Sequence, residues 1–218
     1  MEQSSFSEFD KVKEWDRKQD SDVKRNIILD AAEQVFSQKD YNNAVLDEIA
    51  GIAGVSKATL YLYFKNKIDL FLSVIERKLW ELHKVVVNAT ADCIDPVAAI
   101  KRLIADELLF FSDNADFFKV IYAQHSNLQL RAQVSEEEIQ ERVTPPVLSK
   151  INAIAKVIKR GQENGVFQSV DERKAAFMFV SLIHTCIFLE ILEPENVVLM
   201  DRADLVEKIF LDGLLVRE

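Results

Sequence analysis

Glycine, proline and cysteine are scarce in this chain, whose 218 residues include 5, 4 and 2 of them respectively. So few glycines and prolines argue against a fold of short strands and tight turns, because those residues supply most turn conformations. Cys93 and Cys186 lack the spacing of a metal site or a redox pair, and they exclude a disulfide framework. No signal-peptide core is visible, and no apolar run reaches the roughly 20 residues that span a bilayer. We therefore expect a cytoplasmic protein without a membrane segment.

The composition that remains favours helices. Hydrophobic residues make up 49% of the chain, enough for a substantial core, and alanine, leucine, isoleucine, glutamate and lysine recur throughout. We expect an almost all-helical fold. The net charge of −9 excludes a wholly basic nucleic-acid binder, so any surface that binds DNA has to be local.

The sharpest pattern lies between residues 22 and 66. Apolar residues at helical spacing predict a first helix and a shorter second one: Ile28, Ala31, Ala32, Val35 and Phe36, then Leu46, Ile49, Ala50 and Ala53. Gly54 ends the second helix, because glycine most easily takes the left-handed conformation of a tight turn. Ser56 is placed to cap a third helix, from Lys57 to about Phe64, by accepting from the N–H of Thr59. Two helices joined by such a turn form a helix-turn-helix unit.

The third helix offers a mixed hydrogen-bonding surface. Leu60 and Phe64, four residues apart, point into the small core. Five side chains remain for the other faces: Lys57, Ala58, Thr59, Tyr61 and Tyr63. An α-helix fits the major groove, where lysine reaches guanine acceptors, methyl groups touch the thymine methyl and hydroxyls bind phosphate. Lys67 adds charge at the start of the next helix. For either tyrosine alone, simple packing is the alternative.

The stretch "DEIAGIAGVSKATLYLYFKNKIDLF", with the helix before it, resembles the DNA-binding domain of the TetR family of transcriptional repressors over about residues 22–75. Residues 1–21 are polar and are predicted to form an N-terminal tail; the alternative is a weakly amphipathic helix, because four apolar residues there are spaced three apart. The resemblance implies a three-helix DNA-binding domain at 22–68, and a helical effector-binding and dimerisation domain at 69–218. By position it assigns DNA contacts to Ser56, Lys57, Ala58, Thr59, Tyr61, Tyr63 and Lys67. One departure is that Ala44 and Val45 stand where a hydroxyl residue often begins the second helix, so one phosphate contact is in doubt.

A second aromatic cluster lies in the domain where the family binds effectors. It consists of Phe110, Phe111, Phe118, Tyr122 and His125, to which His184 and Phe188 on a late helix can be added. An apolar or aromatic effector suits such walls. The alternative is an ordinary helical core, since most buried aromatic residues line no ligand site.

One recognition helix covers only a few base pairs. We therefore expect a dimer, because a two-fold dimer binds two half-sites with its two recognition helices. The last two helices, predicted at 171–191 and 201–216, carry apolar sets sufficient for a core face and a partner face: Phe177, Phe179, Val180, Ile183, Ile187, Leu205, Ile209 and Leu214. We expect a homodimer through these helices.

An enzyme is not indicated. His184 and Cys186 are two residues apart, so on a helix they point to nearly opposite faces and form no nucleophile–base pair. The three histidines are too scattered to suggest a metal site, and no glycine-rich phosphate loop occurs. We expect no cofactor. The prediction is a dimeric, ligand-responsive regulator, acting as a repressor on a palindromic operator. The alternative is a helical binding or adaptor protein that retains the motif without binding an operator.

Overall fold

The computed structural model describes residues 23–39, 41–91, 95–124, 133–192 and 199–216. The predicted N-terminal tail, Cys93 and His125 lie outside these ranges. The helices are α1 Val23–Gln38, α2 Leu46–Ile52, α3 Lys57–Tyr63, α4 Lys67–Ala91, α5 Pro96–Asp113, α6 Ala115–Gln124, α7 Glu136–Glu138, α8 Thr144–Glu163, α9 Glu172–Leu192 and α10 Ala203–Leu214, with a π-helix at Ile139–Val143 and a 3-10 helix at Leu199–Arg202. The all-helical prediction is confirmed. Within the described ranges, no helix is both long and apolar enough to cross a membrane.

The glycine turn between α2 and α3 has the predicted geometry. Gly54 has φ +66°, the left-handed conformation that glycine adopts without steric cost. The N–H of Val55 donates to the carbonyl of Ala50 at 3.0 Å, which closes the end of α2. Ser56 Oγ then accepts from the N–H of Thr59 at 3.0 Å and caps α3. These bonds fix the direction in which α3 leaves the turn.

An ion-pair cluster joins α4 to α1. The Arg77 guanidinium, with its side chain 8% exposed, reaches Asp30 and Glu33 at 2.7 Å each. Lys78 also meets Glu33 at 2.7 Å. Because Arg77 is almost buried, its charge requires these partners. The first half of α4 is thereby held to α1.

The chain divides into two compact units. The first takes in the described residues up to Glu81 together with Asn114–Pro146, and the second comprises Leu82–Asp113 with the residues from Val147 onward. In the first unit, α6 packs against α1. The predicted domain boundary at residues 68 and 69 stays a prediction.

The second unit has a core of α5, α8, α9 and α10 with one buried ion pair. Lys150 Nζ lies 3.0 Å from Glu107 Oε2, with 4% and 0% of the two side chains exposed. The β-bridge between Phe167 and Leu215 joins the segment before α9 to the end of α10. Among the described residues of this unit, the other buried side chains are aliphatic or aromatic apart from one histidine, one serine and one cysteine, so this pair is a charged feature in a largely apolar interior.

The pair Pro145–Pro146 lies in the first turn of α8. The chain upstream is also helical, because the π-helix runs directly into α8 and the N–H of Thr144 bonds to the carbonyl of Ile139. Proline lacks the N–H that would continue an α-helical ladder. The wider π-turn supplies the preceding turn instead.

Candidate nucleic-acid interface

The third helix presents most of the predicted contact residues to solvent. Ser56, Lys57 and Ala58 are exposed, and Tyr61 keeps 48% of its surface accessible. Thr59 is half-buried, and so are Tyr63 and Lys67. On the inner side, Leu60 and Phe64 are 0% and 1% exposed, as predicted. A rigid, capped helix therefore carries an accessible outer face.

Lys57 is the only charged residue of α3, and it is paired within the protein. Its Nζ lies 3.0 Å from Asp47 Oδ2, and the hydrogen bond to that carboxylate raises the lysine pKa. The neighbouring Glu48 pairs with Lys39 at 2.7 Å. The two acidic residues at the start of α2 therefore offset two of the cations on this side of the domain.

Lys67 is anchored by two contacts. Its ammonium donates to the carbonyl of Asn42 at 3.1 Å and stands 4.7 Å from the centroid of the Tyr41 ring. That ring packs in turn on Phe36 and Phe71 in the core. The charge of Lys67 is thus held at a fixed place at the start of α4, with part of the side chain still accessible.

The turn between α3 and α4 is braced by Asp69. Its Oδ2 accepts from the backbone N–H of Lys65 at 2.8 Å, while its Oδ1 meets the Arg142 guanidinium at 2.8 Å. Arg142, on the π-helix, also reaches Glu76 at 3.0 Å. Asn66 caps α4 by accepting from the N–H of Asp69. Arg142 therefore helps to position the turn that separates Tyr63 from Lys67.

The unusual start of α2 lacks a side-chain cap. Val45 occupies the N-cap position without a cap hydrogen bond, and Ala44 is 3% exposed. Neither residue has a hydroxyl for phosphate. A contact between a side-chain hydroxyl and phosphate is therefore not available at these two positions.

The predicted effector residues fall into both compact units. In the second unit, Phe111 is buried and its ring centroid lies 5.9 Å from that of Phe110 and 5.8 Å from that of His184. Phe188 is 47% exposed on α9. In the first unit, Phe118 is buried, and burial raises the pKa of Tyr122 to about 12. The structure thus brings Phe110, Phe111 and His184 together, and the full seven-residue site stays a prediction.

Sequence reasoning missed two residues. Leu62 on α3 is 84% exposed, and Arg142 braces the turn after α3. The signal for Leu62 was present, because it lies four residues after Ala58 and so shares its face of the helix. Arg142 had no such signal, since its partners lie 66 and 73 residues away in sequence. Among the described residues, no group of three or more His, Cys, Asp or Glu is arranged to hold a metal ion.

The helix-turn-helix and its surroundings match known regulators. The model of bacterial regulatory proteins of the tetR family matches residues 28–74. The HTH-type transcriptional repressor NicS of Pseudomonas putida is 23% identical over 172 residues, which cover 79% of this chain and 78% of NicS. The fatty acid metabolism regulator protein of Bacillus subtilis is 24% identical over 191 residues, which cover 86% and 93%.

A solved structure shows the same fold over most of the chain. The transcriptional regulator FadR from Bacillus subtilis, in complex with stearoyl-CoA, matches with a TM-score of 0.70 and 21% identity, covering 86% of this chain and 97% of that one. The capped third helix and the glycine turn described above therefore lie in a domain of the tetR type at residues 28–74, and most of the chain shares the fold of the FadR structure.

Proposed function

We propose that this regulator is a homodimeric repressor that binds a palindromic operator through α3 and is released by a small apolar or aromatic effector. The observation that carries the proposal is that α3, capped by Ser56, has an outer face on which Ala58 and Tyr61 are exposed to solvent. Such a helix fits the major groove. The hydroxyls of the two tyrosines on α3, and Lys67 at the start of α4, can form hydrogen bonds with bases and phosphates.

Several apolar side chains on the last two helices support dimerisation. Phe177 and Met178 on α9 are 44% and 66% exposed, and Leu205 and Ile209 on α10 are 57% and 53% exposed. A groove of about 670 Å³ runs beside Met178 and Ile209. The rest of the predicted set is buried in the same unit: Phe179, Val180, Ile183, Ile187 and Leu214. The helices thus have one face in the core and one face suited to a second copy.

The proposed effector is apolar or aromatic. Buried Phe111, with Phe110 and His184 against it, offers aromatic surface in the second unit. The stearoyl-CoA complex of FadR supports an effector with an extended apolar part. Binding would favour the dimer conformation whose two α3 helices no longer match the half-site spacing. An effector that binds without changing operator affinity would contradict this coupling.

A salt-dependent gel-shift assay on the DNA upstream of the gene tests operator binding. Tyr61→Ala is expected to weaken the complex by about tenfold or more, because it removes a group that contacts the DNA in each half-site. Lys67→Ala is expected to weaken binding to all sequences and to lower the salt slope. The matched control is Lys159→Ala, whose lysine is exposed on α8, in a different compact unit from α3, and does not line the groove beside Met178 and Ile209. Equal affinity of wild type and both variants would favour the adaptor alternative.

Asp47→Asn is expected to strengthen DNA binding. The change frees Lys57 from its 3.0 Å partner and removes a negative charge close to α3. At low salt the variant should bind DNA more tightly than wild type does. The slope of log affinity against log salt concentration should be steeper by about one unit. Asp106→Asn, which also removes one acid from an exposed ion pair, is the control and should leave both quantities unchanged. An unchanged slope for Asp47→Asn would show that Lys57 does not meet phosphate.

A further inference from the structure

Leu62 is the most exposed large apolar side chain in the described part of the chain, at 84%. It lies on α3 between the two tyrosines that the operator proposal uses. Single exposed leucines are common on protein surfaces. Leu62 differs because it belongs to a seven-residue helix whose other outward positions are the predicted DNA contacts.

The geometry of α3 separates Leu62 from the core. Positions 58 and 62 are one helical turn apart and both are exposed, so they share the outer face. Leu60 and Phe64, on the inner face, are almost fully buried. Leu62 therefore adds nothing to the packing of its own domain, and its methyl groups are available to whatever lies against α3.

The outer face is also close to electrically neutral. Its one cation, Lys57, is held by Asp47 at 3.0 Å. By helical spacing, what remains around Leu62 is the methyl group of Ala58, four residues before it, and the side chain of Thr59, three residues before it. The Thr59 hydroxyl is already bonded to that of the serine that caps α3, at 2.9 Å. A face of this kind is a poor match for guanine acceptors or for the cytosine amino group, because covering those groups with a leucine would leave them without a hydrogen-bond partner.

Thymine is the base that suits such a face, since its C5-methyl group is the apolar feature of the major groove. We propose that Leu62 is a specificity-determining residue that recognises a thymine C5-methyl group in each operator half-site. This inference rests on the proposed function. It adds the chemistry of one base position, which the recognition helix reads by apolar contact.

The test pairs a protein change with a DNA change. Wild-type protein first selects duplexes from a random pool, and each symmetry-related pair of thymines in the selected site is then replaced by deoxyuridine, which lacks only the methyl group. One pair should lower wild-type affinity by about 10- to 25-fold, or about three- to fivefold for each half-site, the amount expected for one buried methyl group. In Leu62→Ala the same replacement should have little effect, while the other thymine pairs behave as in wild type.

Leu62→Ala should itself lower affinity for the unmodified site by about tenfold or more. Leu109→Ala, whose leucine is 49% exposed on α5, is the matched control and should bind as wild type does. Thermal unfolding followed by circular dichroism verifies that both variants are folded.

The possible outcomes are distinct. Wild-type binding that no deoxyuridine weakens, or a selected half-site without thymine, overturns the role of Leu62. So does a Leu62→Ala protein that keeps the wild-type sensitivity at every position. If Tyr61→Ala still weakens the complex by about tenfold or more in these cases, the proposed function stands and only this inference fails. If wild-type protein selects no duplex at all, the proposed function fails, and the inference fails with it.

Discussion

Replacing Lys150 with methionine is expected to lower the free energy of unfolding by about 3–5 kcal/mol, because it leaves a buried carboxylate without its counter-ion. Glu107 is fully buried, and Lys150 Nζ at 3.0 Å is the ion-pair partner that the structure gives it. The other carboxylate oxygen has no hydrogen-bond partner within the described ranges. Urea unfolding of wild type and variant measures the difference.

Two controls separate the lost ion pair from lost packing. The double variant Glu107→Leu/Lys150→Met removes both charges and should regain most of the stability, or exceed wild type, as replaced buried pairs often do. Lys101 is 53% exposed and pairs with Glu207. Because exposed ion pairs contribute little, Lys101→Met should change the free energy of unfolding by no more than about 1 kcal/mol. A loss below about 1 kcal/mol for Lys150→Met would contradict the structural account of this pair.

Ile209→Glu is expected to convert the proposed homodimer to monomers and to lower affinity for the proposed operator by about 10²–10⁴-fold. Ile209 is 53% exposed, so the substitution leaves the core of its own unit in place. A monomer binds one half-site at a time and loses the effective concentration that links the two reading helices. Analytical ultracentrifugation and a gel shift on the same samples measure the two effects together.

The choice of residue matters in this experiment. Ile187, also in the predicted apolar set, is 5% exposed, so a charge there would disturb the core of its unit. A loss of the dimer in that variant could then not be distinguished from unfolding. Leu109→Glu is the matched control, because it adds the same charge at an exposed apolar site on α5. A variant at Ile209 that remains dimeric would place the dimer interface elsewhere.

The helix-turn-helix could be predicted from the sequence because the residues that shape it are close together along the chain. Gly54 adopts the left-handed conformation and Ser56 caps α3, as predicted, and both features involve residues that are neighbours in sequence. The inward positions of Leu60 and Phe64 followed from helical spacing alone. Helix ends shifted by one or two residues, as with α3 ending at Tyr63.

The features that escaped prediction depend on residues far apart in sequence. Arg142 braces the turn after α3 through Asp69, 73 residues before it. The Glu107–Lys150 pair joins helices whose sequence patterns give no hint that two charges meet in the core. Apolar periodicity also did not separate the core side of α9, such as Ile183, from its exposed side, such as Met178, because both faces are hydrophobic.

A hydroxyl-radical footprint on the upstream DNA tests the central claim most directly. Two α3 helices presented by a symmetric dimer should protect two half-sites with centres about 34–36 Å apart, or a multiple of that spacing. Tyr61→Ala, at a residue 48% exposed on α3, should remove protection from both half-sites together. Protection of a single unsymmetrical stretch, or a footprint that Tyr61→Ala leaves unchanged, would contradict the account.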